Sequence, residues 1–141
     1  LNALRIEKGF LHWGADMAYT EAPYQLGLDF ICKPGKTLPF IGRDACLARK
    51  ADPKGPCLRS VRLADPDAIL HHNEPVLRDG RIIGFVTSGA FCAMQKAAMG
   101  LCLVSPPDGA GGFEAVEDGP CSVMVEGREV PAELRRKPFG A

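Results

Sequence analysis

The sequence predicts a mainly β chain, α+β overall, in which one short helix precedes a small β-barrel or jelly roll of five to six strands. Three observations carry this. Two hairpin signatures lie after residue 56, with Asp79-Gly80 and Glu126-Gly127 each set between β-prone runs. Ala97 to Val104 is a near-continuous apolar run of strand length, as a strand buried on both faces requires. Only Gly42 to Lys50 reads well as a helix.

Taken in order, Asn2 to Glu7 alternates weakly, so a strand is expected with Leu4 and Ile6 on one side and Arg5 and Glu7 on the other. Gly9 ends it, and an aromatic loop runs through Trp13-Gly14. Thr20-Glu21-Ala22-Pro23 is a turn signal. Leu28, Phe30 and Cys32 alternate with Asp29 and Ile31, which predicts a second short strand before the turn Lys33-Pro34-Gly35-Lys36. In Gly42-Arg43-Asp44-Ala45-Cys46-Leu47-Ala48-Arg49-Lys50, Ala, Leu, Arg and Lys favour helix. Asp44 suits the first turn and the basic residues suit the last. Asp52-Pro53-Lys54-Gly55-Pro56 stops it and marks a module boundary.

The remainder reads as strands. Leu58 to Leu63 alternates apolar residues with Arg and Ser. Pro75 to Arg78 and Arg81 to Thr87 flank the first hairpin tip, and Ser122 to Val125 and Arg128 to Pro131 flank the second. Pro106 to Gly119, rich in Gly and Pro, is a loop that includes Gly109-Ala110-Gly111-Gly112.

Composition narrows the function. Apolar content is 46% and charged content 24%, and Lys+Arg balances Asp+Glu at 17 each, so no basic stripe points to nucleic acid. No apolar run approaches the ~18 residues of a membrane span. The six cysteines are widely and irregularly spaced with no C-x-x-C pair. They are expected to be reduced, buried thiols rather than a zinc site or a disulfide framework. No signal-peptide pattern opens the chain, and the expected compartment is the cytoplasm, or the mitochondrial matrix in a eukaryote. The chain starts at Leu1, within structured sequence, and is expected to be a fragment of a larger protein.

The candidate ligand residues are Arg5 and Glu7. On one strand face lining a cleft, Arg5 could pair bidentately with a ligand carboxylate. Glu7 could accept hydrogen bonds from an amine or a pterin-like ring. Phe10, Trp13 and Tyr24 offer stacking surfaces. The competing reading is a cross-strand ion pair on a solvated face. His71-His72 reads as a surface loop, since neighbours on an extended chain point apart. Thr87-Ser88-Gly89 reads as strand-end packing, since it lacks the phosphate-loop pattern. No catalytic nucleophile arrangement is evident.

Leu4-Arg5-Ile6-Glu7-Lys8-Gly9-Phe10, His12-Trp13-Gly14, Asp16, Gly27-Leu28, Phe40-Ile41-Gly42-Arg43-Asp44-Ala45 and Gly84-Phe85-Val86-Thr87-Ser88-Gly89 carry a resemblance. In order and spacing the chain resembles the C-terminal part of the glycine-cleavage T-protein (aminomethyltransferase) superfamily. It looks most like the tetrahydrofolate module of FAD-dependent sarcosine and dimethylglycine dehydrogenases. The resemblance implies that residues 1–55 are the tail of the folate-binding domain and residues 56–141 the C-terminal β-barrel domain. It implies that Arg5, and by extension Glu7, lies at the folate site. It places the family's catalytic Asp and the FAD domain upstream of this chain. The implied role is to help hold tetrahydrofolate as it captures a one-carbon unit as 5,10-methylene-tetrahydrofolate. Two other readings stay open. One is a stand-alone aminomethyltransferase with a lipoyl carrier protein as partner, and the other a non-enzymatic regulatory relative.

Overall fold

The computed structural model describes residues 1–33, 35–53, 55–106 and 116–140. Pro34, Lys54 and the Gly109-Ala110-Gly111-Gly112 loop expected from the sequence lie outside them. The fold is a closed antiparallel barrel of six strands, preceded by two short helices. The strands are β1 (Cys57–Leu63), β2 (Pro75–Arg78), β3 (Arg81–Cys92), β4 (Ala97–Val104), β5 (Gly119–Val125) and β6 (Arg128–Arg135). Around the barrel they run β1-β4-β3-β2-β5-β6, and β6 closes back on β1 through pairs such as Val61 with Leu134.

Both hairpins form at the expected tips. Asp79 and Gly80 have φ of 52° and 71°, and Glu126 and Gly127 have 49° and 75°. Positive φ at both central residues is the type I′ geometry whose twist matches the flanking strands.

Strand β4 is buried at every position, and the reason is two-sided packing. Ala98, Cys102 and Val104 face the barrel interior with Val61, Val76, Val86, Val123 and Leu134. Leu101 and Leu103 face outward, where Leu26 and Leu58 cover them with help from Leu11, Met17 and Leu28. The first thirty residues thus form a cap on the outside of the barrel, which is why alternation fails in β4.

Two sequence expectations are corrected. Asn2 to Glu7 is not a strand but part of helix α1 (Asn2–Lys8). Ala, Leu, Arg, Glu and Lys all favour helix, and Gly9, left-handed at φ 69°, stops it by donating to the Ile6 carbonyl at 3.1 Å. Six weakly alternating residues do not distinguish period 2 from period 3.6. α1 buries Ile6 against Cys92, Met99 and Phe139, a burial that contributes about 2 kcal/mol.

The second correction concerns residues 28–32, which are successive turns. The amides of Ile31 and Cys32 donate to the carbonyls of Leu28 and Asp29 at 3.0 and 3.1 Å, so no strand neighbour is paired there. The predicted helix does form, as α2 (Arg43–Ala51), but none of its residues is buried.

Candidate functional site

Arg5 and Glu7 sit two apart on a helix, about 200° around its axis, so they point to different places. This replaces the shared strand face expected from the sequence. Arg5 faces a polar cavity of about 610 Å³, while Glu7 does not line it. Glu7 is buried where the C-terminal segment docks, and its carbonyl accepts the Gly140 amide at 3.1 Å.

The Arg5 guanidinium is fastened inside the chain. Nε donates to Asn2 Oδ1 at 2.8 Å, and Nη1 donates to Asp16 Oδ2 at 2.6 Å and to the Phe10 carbonyl at 3.3 Å. Nη2 donates to Ser88 Oγ at 2.8 Å. These bonds engage four of the five N–H donors an Arg carries.

Asp16 is the hub. Its carboxylate is fully buried, with 0% of the side chain exposed. Oδ2 also accepts the His12 amide at 2.9 Å. Oδ1 accepts the hydroxyls of Thr87 at 2.6 Å and Ser88 at 2.5 Å. A buried carboxylate is tolerated when it is paired and fully hydrogen-bonded. Here the partners come from α1, the loop after it and the middle of β3.

Thr87-Ser88 is therefore not strand-end packing. It lies mid-strand, where the β3–β4 register shifts between Val86 and Ser88. Such a bulge turns consecutive side chains toward one side, so both hydroxyls reach Asp16 Oδ1. Sequence reasoning missed Asp16 as the hub. The hydroxyl pair was visible, but nothing in the chain signals a contact across 72 residues.

The cavity wall is completed by Asn2, His12, His71, His72, Asn73 and Phe85. His71 and His72 are exposed, as the sequence suggests, yet they sit on the rim of this cavity with His12. Among the described residues no three His, Cys, Asp or Glu side chains are grouped to hold a metal ion. The aromatic residues offered for stacking are not assembled. Phe10 and Trp13 are 67% and 62% exposed, and Tyr24 is buried beside a separate groove.

The cysteines are free thiols. Burial pushes the Cys57 and Cys102 thiols above the ordinary range. Burial, and then the neighbouring Glu7 charge, pushes Cys92 up to about 11. Their burial agrees with the expectation of buried thiols for these three. Among the described residues no helix is long and apolar enough to cross a membrane.

Residues 57–140 match the model of the glycine cleavage T-protein C-terminal barrel domain. The chain is 38% identical over 142 residues to a 4-methylaminobutanoate oxidase (formaldehyde-forming) of Paenarthrobacter nicotinovorans, covering 99% of this chain and 16% of that protein. It is 32% identical over 139 residues to the mitochondrial dimethylglycine dehydrogenase of Rattus norvegicus, again 99% of this chain and 16% of the relative. It is 29% identical over 138 residues to an aminomethyltransferase of Thermosipho melanesiensis, covering 98% of this chain and 35% of the relative. The chain thus spans between about a sixth and a third of the length of these relatives.

The crystal structure of the glycine cleavage system aminomethyltransferase T from Bartonella henselae superposes with a TM-score of 0.79 at 18% identity. It covers 98% of this chain and 37% of that one, and it shows the shared fold. With the barrel matched from β1 to the C-terminal segment, the chain belongs to the glycine cleavage T-protein family and carries its C-terminal barrel domain.

Proposed function

We propose that this chain is the C-terminal part of an FAD-dependent N-methyl-amine dehydrogenase of the sarcosine or dimethylglycine type. In it, residues 1–55 are the tail of the folate-binding domain and residues 56–141 its C-terminal barrel. The intact protein oxidises an N-methyl amine on a flavin held outside these residues, and tetrahydrofolate captures the released one-carbon unit as 5,10-methylene-tetrahydrofolate. One observation carries this reading. Two relatives are matched across 99% of the chain at above 30% identity, and they are named a formaldehyde-forming oxidase of a methylamino acid and a dimethylglycine dehydrogenase. The alternative is a stand-alone aminomethyltransferase that works with a lipoyl carrier protein. It is supported by the 29% identical relative. The compartment that goes with either reading is the cytoplasm, or the mitochondrial matrix in a eukaryote.

The residues fit one end of a folate. The cavity offers donors from Arg5, Asn2 and Asn73, and Phe85 is its one large apolar side chain. That lining suits a carboxylate better than a pterin ring. Arg5 is the proposed contact for the folate's glutamate carboxylate, through the edge of the guanidinium left facing the cavity. Glu7 has no path to the same cavity, and its proposed ligand role needs a second wall supplied by the rest of the parent polypeptide. Exposed Phe30, Ile31, Leu38 and Ile41, the last fully exposed, support a large apolar contact with that remainder. A closed module keeps captor and one-carbon intermediate together, which is the entropic advantage of confinement.

Two measurements on the intact parent protein test this. Dimethylglycine or sarcosine should bleach the flavin's visible absorption. A protein that lacks bound flavin and instead transfers an aminomethyl group from a lipoyl carrier would establish the alternative. Calorimetry should show tetrahydrofolate binding that weakens in Arg5→Ala. Equal affinity with and without Arg5 would remove that residue from the site.

A further inference from the structure

The sulfurs of Cys32 and Cys46 lie 3.8 Å apart, with the Cys46 thiol donating to Cys32. Cys57, Cys92 and Cys102 instead donate to the carbonyls of Val104, Ala3 and Arg59. Both thiols of the close pair are half-buried and line a small groove with Tyr24, Asp29, Phe40 and Lys50. The groove's free volume of about 60 Å³ admits a molecule of peroxide size.

The surroundings allow the sulfurs to close. A disulfide needs them about 2 Å nearer than they are here. Cys46 is carried by α2, which anchors no buried side chain. Cys32 is carried by the turns at residues 28–33. A second tie joins the same two segments, since Lys50 Nζ lies 3.0 Å from Asp29 Oδ2 on the surface. The helix is thus held beside its partner but is free to shift by a fraction of a turn without opening the barrel core.

We propose that Cys32 and Cys46 form a reversible intramolecular disulfide when the protein meets hydrogen peroxide, making this contact an oxidant-responsive modification site. One thiolate attacks a peroxide oxygen, forming a sulfenic acid as the O–O bond breaks and the first water leaves. The second sulfur then attacks the sulfenic sulfur, the S–O bond breaks and a second water leaves. Both thiol protons end in water, and peroxide gains the two electrons the sulfurs lose. Burial and the adjacent Cys46 raise the Cys32 thiol above its ordinary range, so closure is faster in mildly alkaline solution.

The test is peptide mapping of the full-length protein after hydrogen peroxide, with free thiols alkylated under denaturing conditions before tryptic digestion. Trypsin spares the Lys33-Pro34 bond, so Cys32 falls in the peptide Gly9–Lys36 and Cys46 in Asp44–Arg49. The expected result is one species that joins these two peptides, lighter than their sum by two hydrogens, and absent after dithiothreitol. Cys57, Cys92 and Cys102 should remain alkylated. Recovery of both peptides separately, whether alkylated or over-oxidised, would overturn the proposal, as would either cysteine joined to another partner. Cys46→Ser should abolish the joined species while leaving the melting temperature of the barrel within a few degrees. If it unfolds the protein instead, Cys32→Ser serves as the second variant, and the joined species in the parent protein still decides the matter.

Discussion

Arg5 and Asp16 meet at 2.6 Å, eleven residues apart in sequence, and their contact braces the cap from within. Asp16 also receives Thr87 and Ser88 from β3, so one carboxylate ties α1, its loop and a strand together. Removing that carboxylate takes from Arg5 its paired charge and from Ser88 its acceptor, while Thr87 keeps only the Leu101 carbonyl at 3.1 Å. Asp16→Ala is expected to cost about 3–4 kcal/mol. The surface pair Lys50–Asp29 is 61% and 49% exposed, and Lys50→Ala should cost less than about 0.5 kcal/mol. Urea unfolding of both variants checks the contrast. Equal small losses would show that the buried network adds nothing.

The same contact gives Arg5 two roles that need separating. A strut alone would make Arg5→Ala and Asp16→Asn weaken tetrahydrofolate binding alike, by letting the loop drift. A ligand contact adds a direct loss only in the first. In the intact protein Arg5→Ala should bind tetrahydrofolate about tenfold more weakly than Asp16→Asn does, a difference of about 1.4 kcal/mol. Titration calorimetry at matched stability decides it, and identical dissociation constants would leave Arg5 a strut.

Local chemistry was legible in the chain, and long-range pairing was not. Asp79-Gly80 and Glu126-Gly127 declare their turns because positive φ restricts the residue choice there. Ala97 to Val104 declares its burial because few other contexts take eight apolar residues. The order of strands around the barrel leaves no such mark. Leu4 to Glu7 misled because its alternation is too short to define a period, and the helix signal lay in Gly9 just beyond it. The burial of Asp16 was invisible for a related reason. Its partners Thr87 and Ser88 are brought to it by a register shift in β3, and that shift depends on the neighbouring strand.

Gly84 lets β3 and β4 approach. A Cβ at that position would run into the Leu103 carbonyl and the Val104 backbone, neither of which can yield without breaking the ladder. Gly84→Ala should cost about 2–3 kcal/mol through overpacking. Ile82→Ala, two residues away and 70% exposed, should stay within about 0.5 kcal/mol. Thermal unfolding of the two variants gives the comparison, and a tolerated Ala at 84 would mean the strands can separate.

Cys92 gives the stability an alkaline limb. Burial and then Glu7 raise its thiol from 9.0 to about 11 in the folded state. Between those values the unfolded chain gives up the proton while the folded chain keeps it. The unfolded state then binds fewer protons, so stability is full below pH 9 and falls as pH rises toward about 11. The Cys92→Ala variant lacks this component, so its stability gap from the parent should narrow by about 2 kcal/mol across that window. Lys and Tyr titrations are shared by both proteins and cancel. A gap that is constant with pH would contradict the buried, neutral thiol.

The second hairpin carries a correctable cost. Glu126 holds φ at 49°, where its Cβ crowds the following carbonyl, and it is exposed with no packing to compensate. The equivalent place in the first hairpin is Asp79, whose short side chain tolerates the left-handed region. Asn is better still ahead of Gly in a type I′ turn. Glu126→Asn should therefore stabilise the protein by about 0.5–1 kcal/mol, while Asp79→Asn should be nearly neutral. Both changes lie at tips away from the cavity, so folate binding by the intact protein should be unaffected. Melting curves of the two single variants measure the difference. A loss of stability in Glu126→Asn would show that the Glu side chain supports the β5–β6 turn in a way its exposed position does not suggest.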